Sequence, residues 1–292
     1  MSWLQLRLDC DRPAAEGLED QLLFAGALSV TLEDRGDEPL LEPGVGETPL
    51  WQAVRITGLF PADTDMEPVL AALPASSQPR VEILEDRDWS REWMQHYRPM
   101  RFGERLWICP SWQDPPEPNA INLLLDPGLA FGTGTHPTTA MCLRALEKRI
   151  REGFDVVDYG CGSGILGIAA LRLGAGRLLA VDNDPQALTA TRDNAGRNAI
   201  DAELVEVELP DAAPVGAWTG RADLVVANIL AGPLASLADT LTAFLKPGGQ
   251  LLLAGLLESQ AQALIDHYAD RLGLEPVEQE EEWVCLGGAR PT

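Results

Sequence analysis

The sequence predicts an α/β protein: a doubly wound, mostly parallel sheet domain preceded by a smaller α/β domain. Three observations carry that expectation. From about residue 119 onward, short apolar runs alternate with helical patterns. A glycine-rich turn, Gly160 to Gly164, closes the first of the clearest runs. Residues 1–86 repeat the order strand, helix, strand twice. A chain of 292 residues is long enough for two domains at about 150 residues each.

In the first domain, residues 3–9 alternate polar and apolar and read as a strand. An amphipathic helix over 14–25 and a strand over 28–33 follow, then a loop rich in Pro, Gly and Glu over 36–49. The second unit has a strand at 52–60, a helix at 65–73 and a strand at 80–84. This order is that of a ferredoxin-like split βαβ domain, a frequent recognition scaffold, and no catalytic constellation falls in it. Residues 87–118 read as a linker. Within them, 88–97 form a short helix with Trp89, Trp93 and Tyr97 spaced by four, so that the aromatics make one stripe suited to packing against a neighbour. A strand over 101–110 and a Pro-rich hinge over 114–118 complete the connection. The second domain spans 119–292. Its expected strands lie at 154–158, 178–182, 204–207, 223–227 and 250–254, with helices at 163–173, 185–198 and 233–245. In such a sheet, ligands bind at the carboxyl ends of the strands, near the point where strand order reverses.

Composition narrows the function classes. With 46% hydrophobic and 23% charged residues, the chain can build an ordinary core. Its longest apolar stretches, such as 251–257, fall far short of the ~18 residues that span a bilayer. The early charges and strand-like alternation at the N-terminus do not form a secretory signal. Five scattered cysteines with no Cys-x-x-Cys pair suit a reducing compartment, so a cytoplasmic protein is expected. Three isolated histidines give no zinc pattern, and no metal is expected. The net charge of −23 is spread evenly, −11 over the first 100 residues and −12 over the rest. A field of that sign repels phosphate backbones and attracts a basic protein, or serves solubility in a salty cytosol. Direct nucleic-acid binding is not expected.

Four segments carry the chemistry. In Val156-Val-Asp-Tyr-Gly-Cys-Gly-Ser-Gly, a strand ends at Asp158 and Gly160, Gly162 and Gly164 turn into a helix. Backbone N–H groups can approach a ligand closely there. The spacing Gly-x-Gly-x-Gly differs from the Gly-x-Gly-x-x-Gly of dinucleotide sites, and Asp158 would oppose a pyrophosphate. An acid at that place suits a cationic amino group such as that of S-adenosylmethionine. Asp182 follows Gly160 by 22 residues, where a ribose-binding acid is expected, while Asp184 before Pro185 reads as a helix cap. Asn228, at the carboxyl end of the fourth strand, can orient an amine with its amide oxygen, or can be an ordinary turn residue. The fourth segment runs from Leu125 through Gly132, Gly134 and His136 to Pro137, Thr138 and Thr139. It can close over the methionine end of the cofactor, or simply cap the entrance to a helix; His136 fits a structural role better than that of a base.

At these residues the sequence closely resembles the family of ribosomal protein L-eleven (L11) methyltransferases. The resemblance covers the whole chain. Its most particular parts are Phe131-Gly-Thr-Gly-Thr-His-Pro-Thr-Thr and Asn228-Ile-Leu-Ala-Gly-Pro; the glycine loop and its acid are shared by many methyltransferases. The resemblance implies a Rossmann-like class I methyltransferase domain that binds S-adenosylmethionine through Thr139, Gly160, Gly162, Asp182 and Asn228. It also implies that Asn228 serves catalysis and that the N-terminal domain holds the ribosomal protein. The linker would let the catalytic domain reach several lysine and N-terminal amines. Three alternatives stay open at this point: an NAD-dependent dehydrogenase, a non-catalytic ribosome-assembly module, and a methyltransferase of the same fold acting on an amide, a nucleic acid or another protein.

Overall fold

A computed structural model describes residues 2–36, 49–74, 77–84, 97–126 and 136–292. The expected aromatic helix, apart from Tyr97, and the glycine-rich run 131–135 lie outside the described residues. The chain divides into two compact units, Met1–Met94 and Gln95–Thr292. The division falls inside the span 87–118 expected as a linker.

In the first unit, β1 (Trp3–Asp11), α1 (Arg12–Phe24), β2 (Ser29–Asp34), β3 (Ala53–Pro61), α2 (Met66–Ala72) and β4 (Arg80–Leu84) succeed one another. The four strands form an antiparallel sheet in the order β2-β3-β1-β4. Alternate residues Leu6 and Leu8 of β1 and Val54, Ile56 and Phe60 of β3 point to one buried face. There they meet Ala15, Leu18 and Leu22 of α1 and Val69 of α2. Pro13 sits at the start of α1, where its missing N–H costs nothing. The Asp65 carboxylate caps α2 by accepting from Glu67 N.

The second unit opens with a small sheet: β5 (Met100–Phe102), β6 (Leu106–Cys109) and β7 (Ile121–Leu124). The single strand expected over 101–110 is a hairpin, broken by a turn with Gly103 at φ 69°. The Glu147 carboxylate holds that turn by accepting from the amides of Glu104 and Arg105. Strand β7 runs parallel to β6. Then come α3 (Pro137–Arg149), β8 (Asp155–Tyr159), α4 (Ile165–Arg172), β9 (Arg177–Val181), α5 (Pro185–Arg197), β10 (Val205–Glu208), α6 (Ala213–Gly216) and β11 (Ala222–Asn228). The chain ends with α7 (Ala231–Ser236), α8 (Ala238–Phe244), β12 (Leu245–Leu257), α9 (Glu258–Tyr268), β13 (Leu274–Glu280) and β14 (Trp283–Ala289). The helix expected over 233–245 is therefore two short helices that meet at Leu237.

Strands β8 to β14 make one seven-stranded sheet in the order β10-β9-β8-β11-β12-β14-β13. The first five are mutually parallel, and β14 is antiparallel to both of its neighbours. The order reverses between β8 and β11, which places a crevice outside their carboxyl ends. Period-two alternation splits the core in two. Val156, Leu178, Ala180, Leu224 and Val226 face α3, α4 and α5. Val157, Leu179, Val181, Val225 and Ala227 face the layer that holds Trp218, Leu241 and Leu264. Central strands buried on both faces read as continuous apolar runs, which is why the sequence located β8, β9 and β11 within about one residue; β12 extends beyond the expected 250–254 at both ends.

Candidate functional site

Three polar residues end the apolar runs of three neighbouring strands: Asp158 on β8, Asp182 just after β9, and Asn228 on β11. All carry the parity of the residues that face α3, α4 and α5, so all three belong to one side of the sheet. The strand register sets Asp158 beside Ala180 and Val226.

The turn after β8 explains its glycines. Gly160, Gly162 and Gly164 have φ of 77°, 55° and 78°. An L residue in that left-handed region costs about 1–2 kcal/mol. Gly160 has a second reason: a Cβ there would collide with Ile229 Cγ2, in the turn after β11. The loop is pinned from both sides. Gly160 N and Cys161 N donate to Val181 O at 2.7 and 3.0 Å. Thr191 Oγ1 of α5 donates to Gly162 O at 3.1 Å, and Asn194 Nδ2 to Ser163 O at 2.8 Å. These two α5 residues lie one turn apart on one buried face. The sequence shows a polar pair at helical spacing there, but nothing local says which loop it holds.

The two acids meet different surroundings. Asp182 Oδ2 accepts from Gly162 N at 2.9 Å, and Oδ1 from Asp184 N at 3.0 Å. It thus bonds to the loop while staying half-buried at the crevice. Asp184 caps α5 as the sequence predicts, accepting from Gln186 N at 2.8 Å. Asp158 is 1% exposed. Its Oδ2 accepts from Gly167 N of α4 at 2.8 Å, and its Oδ1 is buried with no hydrogen-bond partner among the described residues. Burial pushes this carboxyl up to about 7; the Gly167 amide opposes the rise and the Asp182 charge adds to it. Cys161, within the loop, is kept a neutral thiol, first by burial and then by the Asp158 charge. That environment suits a packing residue rather than a nucleophile.

Asn228 is fixed from across the crevice. Its Nδ2 donates to Thr139 Oγ1 at 3.2 Å. Thr139 is buried in the first turn of α3. That helix starts at Pro137 and is capped by His136, whose Nδ1 accepts from Thr138 N at 3.3 Å. The His136 ring packs edge-on against Trp283, centroids 4.8 Å apart. The next residue after Asn228, Ile229, donates its N–H to Ala254 O at 3.1 Å. Gly255 has φ 86°, and a Cβ on it would lie within 2.5 Å of Ile229 O. Sequence reasoning missed Gly255, Ile229 and Thr191, because their roles depend on contacts between different strand ends. Thr139, Gly160, Gly162, Asp182 and Asn228 all converge on the crevice at the carboxyl ends of β8, β9 and β11.

Residues 2–291 match the family pattern described as ribosomal protein L11 methyltransferase (PrmA). The chain belongs to that family. A relative named ribosomal protein L11 methyltransferase in Cellvibrio japonicus is 54% identical over 291 residues, 98% of each chain. One of the same name in Escherichia coli is 51% identical and covers 99% of this chain and 100% of its own. Among solved structures, a ribosomal protein L11 methylase from Lactobacillus delbrueckii subsp. bulgaricus is 32% identical, with a TM-score of 0.59. It covers 67% of this chain and all of its own. Membership makes the protein a methyltransferase, and its seven-stranded domain the class I methyltransferase fold. Among the described residues, no helix is long and apolar enough to cross a membrane, and no group of three or more His, Cys, Asp or Glu could hold a metal ion.

Proposed function

We propose that this methyltransferase moves methyl groups from S-adenosylmethionine to lysine side-chain and N-terminal amines of ribosomal protein L11, in the cytoplasm. The observation that carries the reading is the pairing of Asn228 with Thr139 beside the glycine turn. The crevice fits the methyl donor on two further counts. The unpaired, buried Asp158 Oδ1 is the acceptor that a cationic amino-acid end requires. Gly160, with no Cβ to meet Ile229, lets the glycine turn close up against the turn that follows Asn228. Asp182 offers remaining lone pairs to ribose hydroxyls, and the loop amides remain close to any bound group. Thr139 helps to line the methionine end.

When bound, S-adenosylmethionine supplies an activated methyl whose bond to sulfur breaks as the new bond to nitrogen forms. The chain's own residues provide alignment and a suitable nucleophile. A lysine ammonium, with pKa near 10.4, must first lose a proton. A partly desolvated mouth disfavours its charge, and water takes the proton away. Thr139 Oγ1 accepts from Asn228 Nδ2, which leaves Asn228 Oδ1 free to accept from the incoming amine. With backbone carbonyls of the same turn, it directs the lone pair at the methyl carbon.

The first unit supports a docking role. Its element order and its antiparallel strand order β2-β3-β1-β4 are those of a ferredoxin-like split βαβ fold. The net charge of −23 suits a basic partner and disfavours nucleic acid. Intact-mass spectrometry of purified L11 incubated with the enzyme and S-adenosylmethionine tests the reading. A ladder of methyl-sized steps is expected, and peptide mapping then locates the amines. An unchanged L11 mass, with donor binding measured separately, would remove L11 as substrate. Asn228→Ala should lower turnover about 100-fold and weaken donor binding by far less; equal turnover would remove Asn228 from the mechanism.

A further inference from the structure

Asp158 occupies an unusual position for an acid at a binding crevice. It sits at the end of a central strand, between Ala180 and Val226, and beneath the glycine turn. One carboxyl oxygen is taken by the Gly167 amide, and the other is buried without a partner among the described residues. The groups that act on its charge are the Gly167 amide of α4 and the carboxylate of Asp182 after β9; among these described residues none is a cation. The thiols of Cys161 in the loop and Cys142 on α3 also face it, and both are pushed upward in part by its charge. A buried carboxylate with a like charge nearby and one empty acceptor is poorly stabilised.

We propose that donor binding is coupled to proton release: a ligand bringing a cationic amino-acid end into the crevice ionises Asp158, whose proton leaves to solvent. This rests on the S-adenosylmethionine reading above and adds a regulation to it. The step balances simply. The O–H bond of the Asp158 carboxyl breaks, its electron pair stays on the carboxylate, and the proton passes to buffer. The incoming ammonium supplies a counter-charge to the carboxylate. Asp158 is then a positioning residue whose charge is switched on by its ligand.

Two properties follow. At a folded-state value near 7, the ligand-free protein holds about half a proton on Asp158 at pH 7. Binding should release that fraction, rising toward one near pH 6 and falling away above pH 8. Affinity should tighten about tenfold from pH 6 to pH 8 and then level off.

Calorimetry of the full chain tests this with two probes. S-adenosylhomocysteine keeps the amino-acid end, whereas 5′-methylthioadenosine keeps the nucleoside thioether and lacks it. Titrations at pH 6, 7 and 8, each in two buffers of different ionisation enthalpy, count the protons exchanged. The expected result is release with S-adenosylhomocysteine and none with 5′-methylthioadenosine. Asp158→Asn should bind S-adenosylhomocysteine without release, an outcome that a merely structural role would not produce. If that variant does not fold, the two-probe comparison on the native protein still decides. Binding of S-adenosylhomocysteine without proton release at pH 6 and 7 overturns the proposal and leaves the cofactor reading standing. So does equal release with both probes, or with the Asn variant. No binding of S-adenosylhomocysteine at all overturns the cofactor reading, and the coupling with it.

Discussion

The turns after β8 and β9 stand side by side, and each begins with an aspartate on the same face of the sheet. In the first, Asp158 is sealed beneath the glycine loop, with one oxygen on a helix amide and the other, among the described residues, on nothing. In the second, Asp182 is half-buried, and both its oxygens accept from backbone amides, one of them in the first turn's loop. Chain direction, strand type and residue are alike. What differs is solvent and the number of donors, and these decide how strongly burial acts on a carboxylate. Asp182 shapes the loop before any ligand arrives. Asp158 waits for a partner.

The largest effect is expected at the first glycine after β8. Gly160→Ala puts a Cβ at a left-handed φ and against Ile229, so it disturbs the loop and the Asn228 turn together. Turnover should fall about 100-fold or more, with donor binding also weakened, since the site depends on alignment. Near-normal kinetics would mean that the loop and the Asn228 turn are not mechanically linked.

Next in size is Asp182→Asn. An amide can accept from only one of the two backbone N–H groups that the carboxylate now serves. S-adenosylhomocysteine affinity should drop roughly ten- to a hundredfold, in line with ~1.5–3 kcal/mol for a hydrogen bond to a charged group. At pH 6, where Asp158 is mostly protonated, Asp158→Asn should cost far less binding. Equal losses at that pH would erase the distinction between the two turns.

A smaller effect belongs to the ligand-free protein. Asp158 rises from 3.8 to about 7 on folding, so between those values the folded state keeps a proton that the unfolded chain has lost. Its contribution to stability therefore falls as pH rises through that window, and levels off above about 7. Urea unfolding of wild type against Asp158→Asn should show the wild type losing up to a few kcal/mol, relative to the variant, from pH 4 to 7. Parallel stability curves would show that the carboxyl is better solvated than its burial implies.

The smallest prediction concerns a glycine of the other kind. Gly196 is exposed in α5, and a Cβ on it would meet nothing within 4 Å. Gly196→Ala should raise stability by roughly 0.5–1 kcal/mol and leave S-adenosylhomocysteine binding unchanged. A loss instead would mean that α5, which holds the loop through Thr191 and Asn194, tolerates no change even on its open side.

Much of the catalytic domain was legible in the sequence. Apolar runs marked the central strands because parallel strands covered on both faces must be apolar throughout. Asp184 with Pro185, and Asp158 with the three glycines, are local signals, since a cap or a left-handed turn is settled within a few residues. The hairpin at Gly103 was not legible. Its turn is held by Glu147, more than 40 residues further along, and the segment 101–110 alternates like one strand. The antiparallel pair β13 and β14 and helix α9 were also unread: β13 and α9 are charged, half-exposed stretches, and the buried run of β14, 284–287, is only four residues long.

The residue types at the strand ends, the turn that needs glycine and the family to which the pattern belongs can all be read along the chain. Only the tertiary structure decided that Asn228 meets Thr139, 89 positions away, and that Asp158 is closed off from water while Asp182 is not. The reason is physical. Backbone preference is a property of a few neighbouring residues, whereas burial and the partner of a polar atom depend on which distant segments the sheet and its helices bring together.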